Sequence, residues 1–201
     1  MILKGKDLIT EINNNKNSSL ELGCGKNKRH SSYYGVDTLE YTNVDIVGDV
    51  YDVLSEINDN SIEKIASYHF FEHLNDLKKI FDECYRVLKV GGEMTVVVPH
   101  FSNPHYYSDP THKTNFGIYT FSYFAEEKLY FRKVPDYWTK SFFIKRIDII
   151  FKSYRPKYLT HIFKKIFQLF FNSSYYMQEF YEENLCYLFP CYEIKCILRK
   201  K

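Results

Sequence analysis

Apolar and polar positions along the chain fall into blocks of strand length and helix length. Four short apolar runs are separated by loops rich in Asn, Asp and Ser and are typical of buried strands; they span 19–23, 33–37, 44–49 and 64–69. From 74 to 88 the apolar residues recur at the spacing of one helical face, and Gly91 and Gly92 follow that segment. The pattern therefore predicts strands that alternate with helices.

The rest of the chain continues this pattern. The apolar run at 93–99 predicts a strand covered on both faces, and the alternation at 191–200 predicts a strand with one polar face. The remaining predicted elements are a short helix at 6–12, helices at 119–130, 159–171 and 174–186, and a strand at 142–151. These elements predict a single α/β domain over 1–201: a three-layer Rossmann-like sandwich with a mostly parallel sheet, a late antiparallel strand and a helical insertion near the C-terminus.

Charge and cysteine usage narrow the class of protein. Residues 1–139 carry 15 Lys and Arg against 20 Asp and Glu, whereas residues 140–201 carry 12 against 5. A uniformly basic nucleic-acid binder would not show this division, so we predict no nucleic-acid partner. The five cysteines form no C-x-x-C pair, the N-terminal segment lacks the apolar core of a signal peptide, and no apolar run could span a bilayer. We therefore predict a cytoplasmic protein with reduced cysteines.

A glycine-rich turn follows the first long strand. The turn Glu21-Leu22-Gly23-Cys24-Gly25 lets a ligand approach the backbone, and Asp37 ends the next strand, where a carboxylate can bind ribose hydroxyls. A dinucleotide fingerprint would need glycine at position 28, which is lysine, and no Walker A motif is present. A nucleoside without phosphates, such as S-adenosylmethionine, therefore fits better than a pyrophosphate ligand.

The motifs around this turn resemble those of class I S-adenosylmethionine-dependent methyltransferases, and most closely the small branch known as type 11. The stretches that carry the resemblance are LELGCG, GVD, GDV, ASYHFFEHL and CYRVLKVGGEMTVVVPH, within residues 17–130. Two features depart from that family. Asn27 stands at the third glycine position, and only seven residues separate Gly25 from Tyr33, so we expect a turn in place of the first helix.

The resemblance implies a role for each matched position. Glu21, Gly23, Cys24 and Gly25 would contact the methionine part of S-adenosylmethionine, and Asp37 would hold its ribose. Asp49 and Val50 match the position beside the adenine ring. His69 and Phe70 match the end of the fourth strand of the family, which faces the sulfonium and the acceptor. Residues 1–140 would then form the cofactor-binding core with an acceptor loop, and 141–201 the last two strands with their insertion.

The loop at 99–116 concentrates residues that could remove a proton from an acceptor, namely His100, His105, Asp109 and His112. Asp-Pro-Thr-His at 109–112 resembles a motif of methyltransferases found near saccharide gene products, which favours a sugar hydroxyl as acceptor. We predict His112 or His100 as the base, with Asp109 orienting it and His69 as a third candidate. Asp109 could instead start a turn. The same four residues are potential metal ligands, but their spacing matches no standard metal site, so no metal is predicted.

A basic amphipathic segment lies at 155–172. Its apolar face is formed by Ile162, Phe163, Ile166, Phe167, Phe170 and Phe171, with Lys164 and Lys165 opposite and Lys152, Arg155 and Lys157 upstream. The face could pack on its own sheet, meet a second copy of the chain or another protein, or lie on the inner face of a membrane. We favour the first two over lipid.

Taken together, the sequence predicts a cytoplasmic methyltransferase that methylates a hydroxyl on a sugar or saccharide-linked small molecule. One alternative is an N-methyltransferase on a small amine, which would not need the histidine base. Another is a non-catalytic cofactor-binding partner subunit, which the polar loop at 99–116 disfavours. A nicotinamide-dependent reductase is disfavoured by the missing third glycine and by the lack of a Tyr-x-x-x-Lys element.

Overall fold

Eight strands form one sheet in the order β1-β4-β3-β2-β5-β6-β8-β7. The computed structural model describes residues 2–15, 17–126, 129–139, 141–153 and 156–201. The strands are β1 (Ile2–Lys4), β2 (Ser18–Leu22), β3 (Tyr34–Asp37), β4 (Ile46–Gly48), β5 (Ile62–Tyr68), β6 (Leu88–Pro99), β7 (Phe142–Ile150) and β8 (Glu193–Lys200). Only β1, a three-residue edge strand, falls outside the predicted set, because it is too short to show a pattern.

The sheet is mostly parallel, as the alternation of strands and helices predicts. Strands β2 to β6 pair in parallel. Strand β8 runs antiparallel to both β6 and β7, and β1 runs antiparallel to β4. The prediction of an α/β Rossmann-like fold with a late antiparallel strand is therefore confirmed.

Five α-helices accompany the sheet in the described residues: α1 (Lys6–Asn14), α2 (Val50–Ser55), α3 (Leu77–Val87), α4 (Tyr158–Phe171) and α5 (Tyr175–Asn184). Helix α3 begins after Asp76, whose side chain accepts a hydrogen bond from the Lys79 N–H and so caps the first turn. The buried stripe of α3 is the one that the spacing predicts; it consists of Ile80, Phe81, Cys84 and Val87. Helices α4 and α5 form the insertion between β7 and β8.

A turn replaces the helix that would normally connect the first two long strands of such a fold. Residues 26–33 contain no helix, as the short spacing predicts. The carboxylate of Glu21 accepts hydrogen bonds from the backbone N–H groups of Arg29 and His30, at 2.8 and 2.9 Å. Lys28 also forms an ion pair with Asp45 at 2.6 Å. These contacts fix the loop above the end of β2.

The predicted helix at 119–130 is wrong. A short 3₁₀ helix spans Ile118–Tyr123, and the chain then forms a bridge to β7, while residues 127 and 128 lie outside the described residues. Aromatic packing competes here with the helical pattern. Phe124 stacks on Phe81 of α3 with ring centroids 3.9 Å apart, and Phe121 is fully buried in the same core.

Helix α4 packs through only one edge of its predicted apolar face. Phe171 is buried and Phe167 is half-buried against the core. The other four residues of that face, Ile162, Phe163, Ile166 and Phe170, are each more than half exposed. Arg155 lies outside the described residues. Among the described helices, none combines the length and apolarity needed to cross a membrane.

Candidate functional site

The carboxyl ends of β2, β3 and β5 meet where the strand order changes direction. Strand β2 lies between β3 and β5, and the chain passes from one side of β2 to the other after β4. In open α/β sheets, ligands bind in the crevice outside the carboxyl ends of the strands at this switch point. The glycine turn, Asp37 and the segment after Tyr68 all lie at this edge.

The two glycines of the turn are in the left-handed region but have different surroundings. Gly23 has φ of 65° and Gly25 has φ of 56°. A Cβ atom on Gly23 would lie 2.3 Å from the Cγ atom of Phe70, whereas a Cβ atom on Gly25 would meet nothing within 4 Å. Gly23 therefore allows Phe70 to pack on the turn, and Gly25 borders open space that a ligand can occupy.

Asp37 is held directly beside the turn. Its Oδ2 atom accepts a hydrogen bond from the Gly25 N–H, and its Oδ1 atom accepts one from the Leu39 N–H, both at 2.9 Å. The side chain remains partly exposed. Each carboxylate oxygen can accept a further hydrogen bond, so Asp37 can bind a pair of ribose hydroxyls.

Glu21 and Cys24 contribute to the turn in another way. Glu21 is buried, and both its carboxylate oxygens accept backbone N–H groups of the 26–33 loop, so its observed role is to hold that loop. Cys24 is also buried. Burial, followed by the nearby carboxylates of Asp37 and Glu21, raises the pKa of its thiol to about 12, so the thiol stays protonated at neutral pH.

The predicted adenine contacts lie at the start of α2. Asp49 is exposed, and its side chain accepts a hydrogen bond from the Tyr51 N–H as the N-cap of the helix. The Val50 side chain packs inward in the hydrophobic core. Asp49 is therefore open to a ligand at this edge, whereas Val50 can offer a ligand only its backbone.

His69 follows β5 in a left-handed conformation with φ of 53°. Its Nε2–H donates to Glu193 Oε2 at 3.0 Å, and its Nδ1 lies 3.5 Å from Glu72 Oε1. Partial burial disfavours the charged ring, but the hydrogen bond to Glu193 and the nearby Glu72 carboxylate outweigh that effect and raise the pKa of His69 to about 9. The ring is therefore protonated at neutral pH and does not serve as a base there.

His100 is placed where no substrate reaches it. The residue is 0% exposed, its Nδ1 lies 2.8 Å from Ser102 Oγ, and its Nε2 lies 3.1 Å from Glu182 Oε2. Both ring nitrogens are thus used within the fold. We interpret His100 as a link between the end of β6 and helix α5, which argues against its predicted role as the base.

His112 is the predicted base whose geometry suits work on a substrate. Its Nδ1–H donates to the Tyr106 carbonyl at 2.8 Å, so in the neutral ring Nε2 is the nitrogen that can accept a proton. The predicted role of Asp109, to orient this ring, is not supported by a hydrogen bond between the two side chains. Its Oδ2 lies 3.6 Å from Nε2, while its Oδ1 accepts hydrogen bonds from the Thr111 N–H and hydroxyl and closes a turn. Those bonds to Thr111 are also what lowers the pKa of Asp109.

Two neighbours of His112 were not assigned a role from the sequence. Glu72 and His73 lie in the short helix Phe71–His73 that follows β5, and the rings of His73 and His112 are 4.9 Å apart. Glu72 is fully buried, and neither carboxylate oxygen has a hydrogen-bond partner. Both residues stand in the quoted FFEHL stretch, but nothing along the chain signals that the 99–116 loop folds over them.

Another cleft lies between the 99–132 region and α5. It has a volume of about 550 Å³ and is lined by aromatic rings and charged groups: Phe101, Tyr119, Phe131, Tyr176, Phe180, Arg132, Glu179, Glu182 and Glu183. Phe101 follows β6 by two residues, so the cleft is on the side of the sheet where the strands end. It is large enough for a small-molecule ligand.

The turn fits S-adenosylmethionine. The open space at Gly25 and the fixed Asp37 carboxylate suit a ribose and an amino-acid tail. A phosphate would meet the Asp37 carboxylate, which already occupies the N–H of Gly25. The residues that would hold the cofactor are thus Gly23, Gly25 and Asp37, with Asp49 and Phe70 at the border of the site.

Comparisons with known proteins agree with this fit. The family model described as a methyltransferase domain matches residues 20–96, which include the glycine turn, Asp37 and the end of β5. None of the curated proteins compared matches the chain.

Several solved structures share the fold. A SAM-dependent methyltransferase from Archaeoglobus fulgidus is 18% identical with a TM-score of 0.57, and the match covers 97% of this chain and 90% of that chain. A SAM-dependent methyltransferase from Mesorhizobium loti is 12% identical with a TM-score of 0.53, over 96% of both chains.

A third structure is Haemonchus contortus phosphoethanolamine N-methyltransferase 2 in complex with S-adenosyl-L-methionine. It is 14% identical with a TM-score of 0.52, and the match covers 98% of this chain and 53% of that chain. The domain match and the shared fold support the predicted S-adenosylmethionine-dependent methyltransferase, with S-adenosylmethionine as its cofactor.

Proposed function

We propose that this protein methylates a hydroxyl group of a small saccharide or saccharide-linked acceptor, with S-adenosylmethionine as the methyl donor. The observation that carries the proposal is the histidine and carboxylate cluster around His112, which stands next to the end of β5. The products would be the methyl ether and S-adenosylhomocysteine. We place the reaction in the cytoplasm, since no disulfide joins the five cysteines, all of which lie in the described part of the chain.

An alcohol acceptor requires a group in the protein that promotes loss of the hydroxyl proton. When bound, S-adenosylmethionine supplies a methyl group on a sulfonium, which is reactive enough that alignment provides much of the rate. The acceptor oxygen must also lose its proton as it forms the new bond to carbon, so a group at the site has to promote that loss. A neutral amine has a free lone pair and needs no such group.

The position of His112 suits a group that promotes loss of the acceptor proton. The Tyr106 carbonyl holds its ring in one tautomer, and the side chain is about 10% exposed, so the ring is fixed but reachable. His100 is fully buried, and His69 is protonated at neutral pH. Of the three histidines predicted from the sequence, His112 is therefore the one that supports a hydroxyl acceptor.

The first test is the substitution His112→Ala, assayed against a panel of sugars and sugar nucleotides. We expect kcat/KM to fall by about 100-fold or more, because groups that assist proton removal contribute roughly 10²–10⁴-fold. The affinity for S-adenosylmethionine, measured by calorimetry, should change less than about twofold, since His112 lies outside the glycine turn. The control is His105→Ala, an exposed histidine of the same loop that lines another cleft.

An unchanged turnover in His112→Ala would contradict the hydroxyl proposal and favour the amine alternative. A specific observation supports that alternative as a second candidate. The 550 Å³ cleft combines five aromatic rings with Glu179, Glu182 and Glu183, a lining that can hold an ammonium group. Arg132 in the same lining opposes it. One structural neighbour is named as a phosphoethanolamine N-methyltransferase, so small amines belong in the acceptor panel.

The non-catalytic alternative has its own signature. A cofactor-binding partner subunit would bind S-adenosylmethionine with the wild-type turn yet transfer no methyl group to any sugar or amine of the panel. A methylated product that carries label from methyl-labelled S-adenosylmethionine would exclude this alternative. The polar cluster around His112 favours a catalytic protein over this alternative. Buried polar groups are normally hydrogen-bonded, and the buried Glu72 carboxylate of the cluster is not, which is typical of a functional site.

A further inference from the structure

Glu72, His73 and His112 form a compact cluster of metal-ligand types. One ligand atom from each residue lies within 4.8 Å of the others. The cluster joins two separate segments, because Glu72 and His73 follow β5 while His112 lies in the 99–116 loop. The loop is fixed there by hydrogen bonds from the Lys113 and Thr114 N–H groups to the Glu72 carbonyl, at 2.7 and 3.1 Å.

The Glu72 carboxylate is buried with an incomplete set of partners. Its side chain is 1% exposed, and neither oxygen accepts a hydrogen bond. The protonated His69 ring, which donates from Nε2 to Glu193, lies 3.5 Å from Oε1 through its Nδ1 and so provides one nearby positive charge. Burying an ionised carboxylate without full compensation is costly. The Oε2 atom has neither a hydrogen bond nor an ion pair among the described residues, so it can bind a cation.

Both histidines are oriented as metal ligands are. The His73 Nδ1–H lies 2.9 Å from the Thr111 hydroxyl oxygen, and that hydroxyl donates in turn to Asp109 at 2.6 Å. The His112 Nδ1–H donates to the Tyr106 carbonyl at 2.8 Å. In the neutral form of each ring, Nε2 is then the nitrogen that can bind a ligand. Metal-bound histidines almost always donate their other N–H to a carbonyl or carboxylate in this way.

We propose that Glu72, His73 and His112 bind a divalent transition-metal ion of the zinc class. Two imidazoles and one carboxylate suit Zn²⁺, Co²⁺ and Fe²⁺, and three protein ligands leave positions for water or other oxygen ligands. The spacing along the chain conceals this set, because about forty positions separate His112 from Glu72 and His73. For this reason the sequence pattern of the 99–116 loop alone predicts no metal.

The ion would define how His112 acts in the proposed reaction. As a metal ligand, His112 would not remove the proton itself, and an acceptor hydroxyl that completes the coordination would have its pKa lowered by the ion. This role rests on the proposed function, whereas the binding of the metal does not. The cluster lies next to His69, at the strand end that faces the acceptor in the proposed reaction.

The test is metal binding by the chelator-treated full chain, with Co²⁺ and Zn²⁺ as probes. We expect one equivalent of Co²⁺ to give visible absorption bands and to be displaced by Zn²⁺. Loss of an outer hydrogen-bond partner typically weakens metal binding 10–100-fold, so Glu72→Gln, His73→Ala and His112→Ala should each weaken it by about 100-fold or more. The control His105→Ala should bind as the wild type does.

Two further measurements keep the result decisive. Zn²⁺ should raise the thermal midpoint of the wild type and of His105→Ala but not that of Glu72→Gln, a nearly isosteric change that preserves the packing. No stoichiometric binding to the wild type, or equal binding to the three ligand variants, would overturn the proposal. Metal binding without methyl transfer to sugars would overturn only the hydroxyl proposal, and methyl transfer by metal-free protein would overturn only the proposed role of the ion.

Discussion

At the scale of single residues, neighbouring glycines of the turn have separate tasks. Both need a left-handed backbone, which glycine adopts without strain. Gly23 also provides contact space for the Phe70 ring, and this contact couples the turn to the end of β5. Gly25 has only open space beside it, and its N–H is held by Asp37. Gly23 thus packs against Phe70, whereas Gly25 leaves open space beside the turn.

The different surroundings of Gly23 and Gly25 predict different losses of stability and of cofactor binding for their alanine variants. Gly23→Ala should lower the free energy of unfolding by about 2–5 kcal/mol, because a left-handed alanine is strained and its Cβ meets the Phe70 ring. Gly25→Ala should cost only about 1–2 kcal/mol, from the backbone alone. It should nevertheless weaken S-adenosylmethionine binding at least tenfold, or about 1.4 kcal/mol, because its methyl group enters the cofactor space. Urea unfolding would measure the free energy of unfolding of both variants, and calorimetry would measure their affinity for S-adenosylmethionine. Equal losses of stability in the two variants would contradict the different surroundings of Gly23 and Gly25.

At the scale of elements, the helical insertion completes the edge of the sheet. Strand β7 pairs with β8 along one side, and on the other side the described backbone contacts it through the Ala125–Phe142 bridge. On its other side, Asn172 accepts a hydrogen bond from the Ile149 N–H at 2.9 Å and donates to the Ile149 carbonyl at 2.7 Å. Gln178 donates to the Ile147 carbonyl at 2.8 Å. Side-chain amides from the insertion therefore occupy the edge that another strand could otherwise join.

We predict that Asn172→Ala destabilises the protein by about 1–3 kcal/mol, because it leaves a buried N–H and carbonyl of β7 unpaired. The exposed edge should also make the variant aggregate faster during heating. Asn184→Ala is the matched control, since Asn184 is exposed and bonds only the Phe180 carbonyl of its own helix. Thermal unfolding and light scattering would test the pair. Similar midpoints in the two variants would show that the edge contacts contribute little.

At the scale of the whole molecule, helix α4 presents an exposed apolar surface. The outer face of α4 exposes Leu159, Ile162, Phe163, Ile166, Leu169 and Phe170, each at least 56% accessible. Apolar patches of this kind mark contact surfaces in monomeric folds. The same half of the molecule carries the excess of Lys and Arg, 12 against 5 acids over 140–201. We expect this face to contact a second copy of the chain in preference to lipid.

The double substitution Phe163→Ser/Ile166→Ser tests this expectation. Its stability should stay within about 0.5 kcal/mol of the wild type for each change, because both side chains are exposed in the single chain. Sedimentation should show concentration-dependent association of the wild type and its loss in the variant. A strictly monomeric wild type that binds anionic vesicles through α4 would instead support the membrane alternative.

The sequence by itself determined the elements and their class. The apolar stripe of α3, the buried strands and the seven-residue gap after Gly25 have local causes, namely side-chain periodicity and chain length, so they could be predicted from the pattern. The glycine turn and Asp37 could be predicted as well, because strand ends at a switch point converge in every fold of this class.

Tertiary structure alone decided which of the candidate histidines is accessible and which is buried. His100 and His112 look alike in the sequence, yet one is fully buried against Glu182 and the other lies beside Glu72 and His73. Burial and partners depend on contacts between segments that are far apart in the chain, and no local pattern encodes them. The same reason explains the 3₁₀ helix at Ile118–Tyr123, where packing on Phe81 outweighs the local helical pattern.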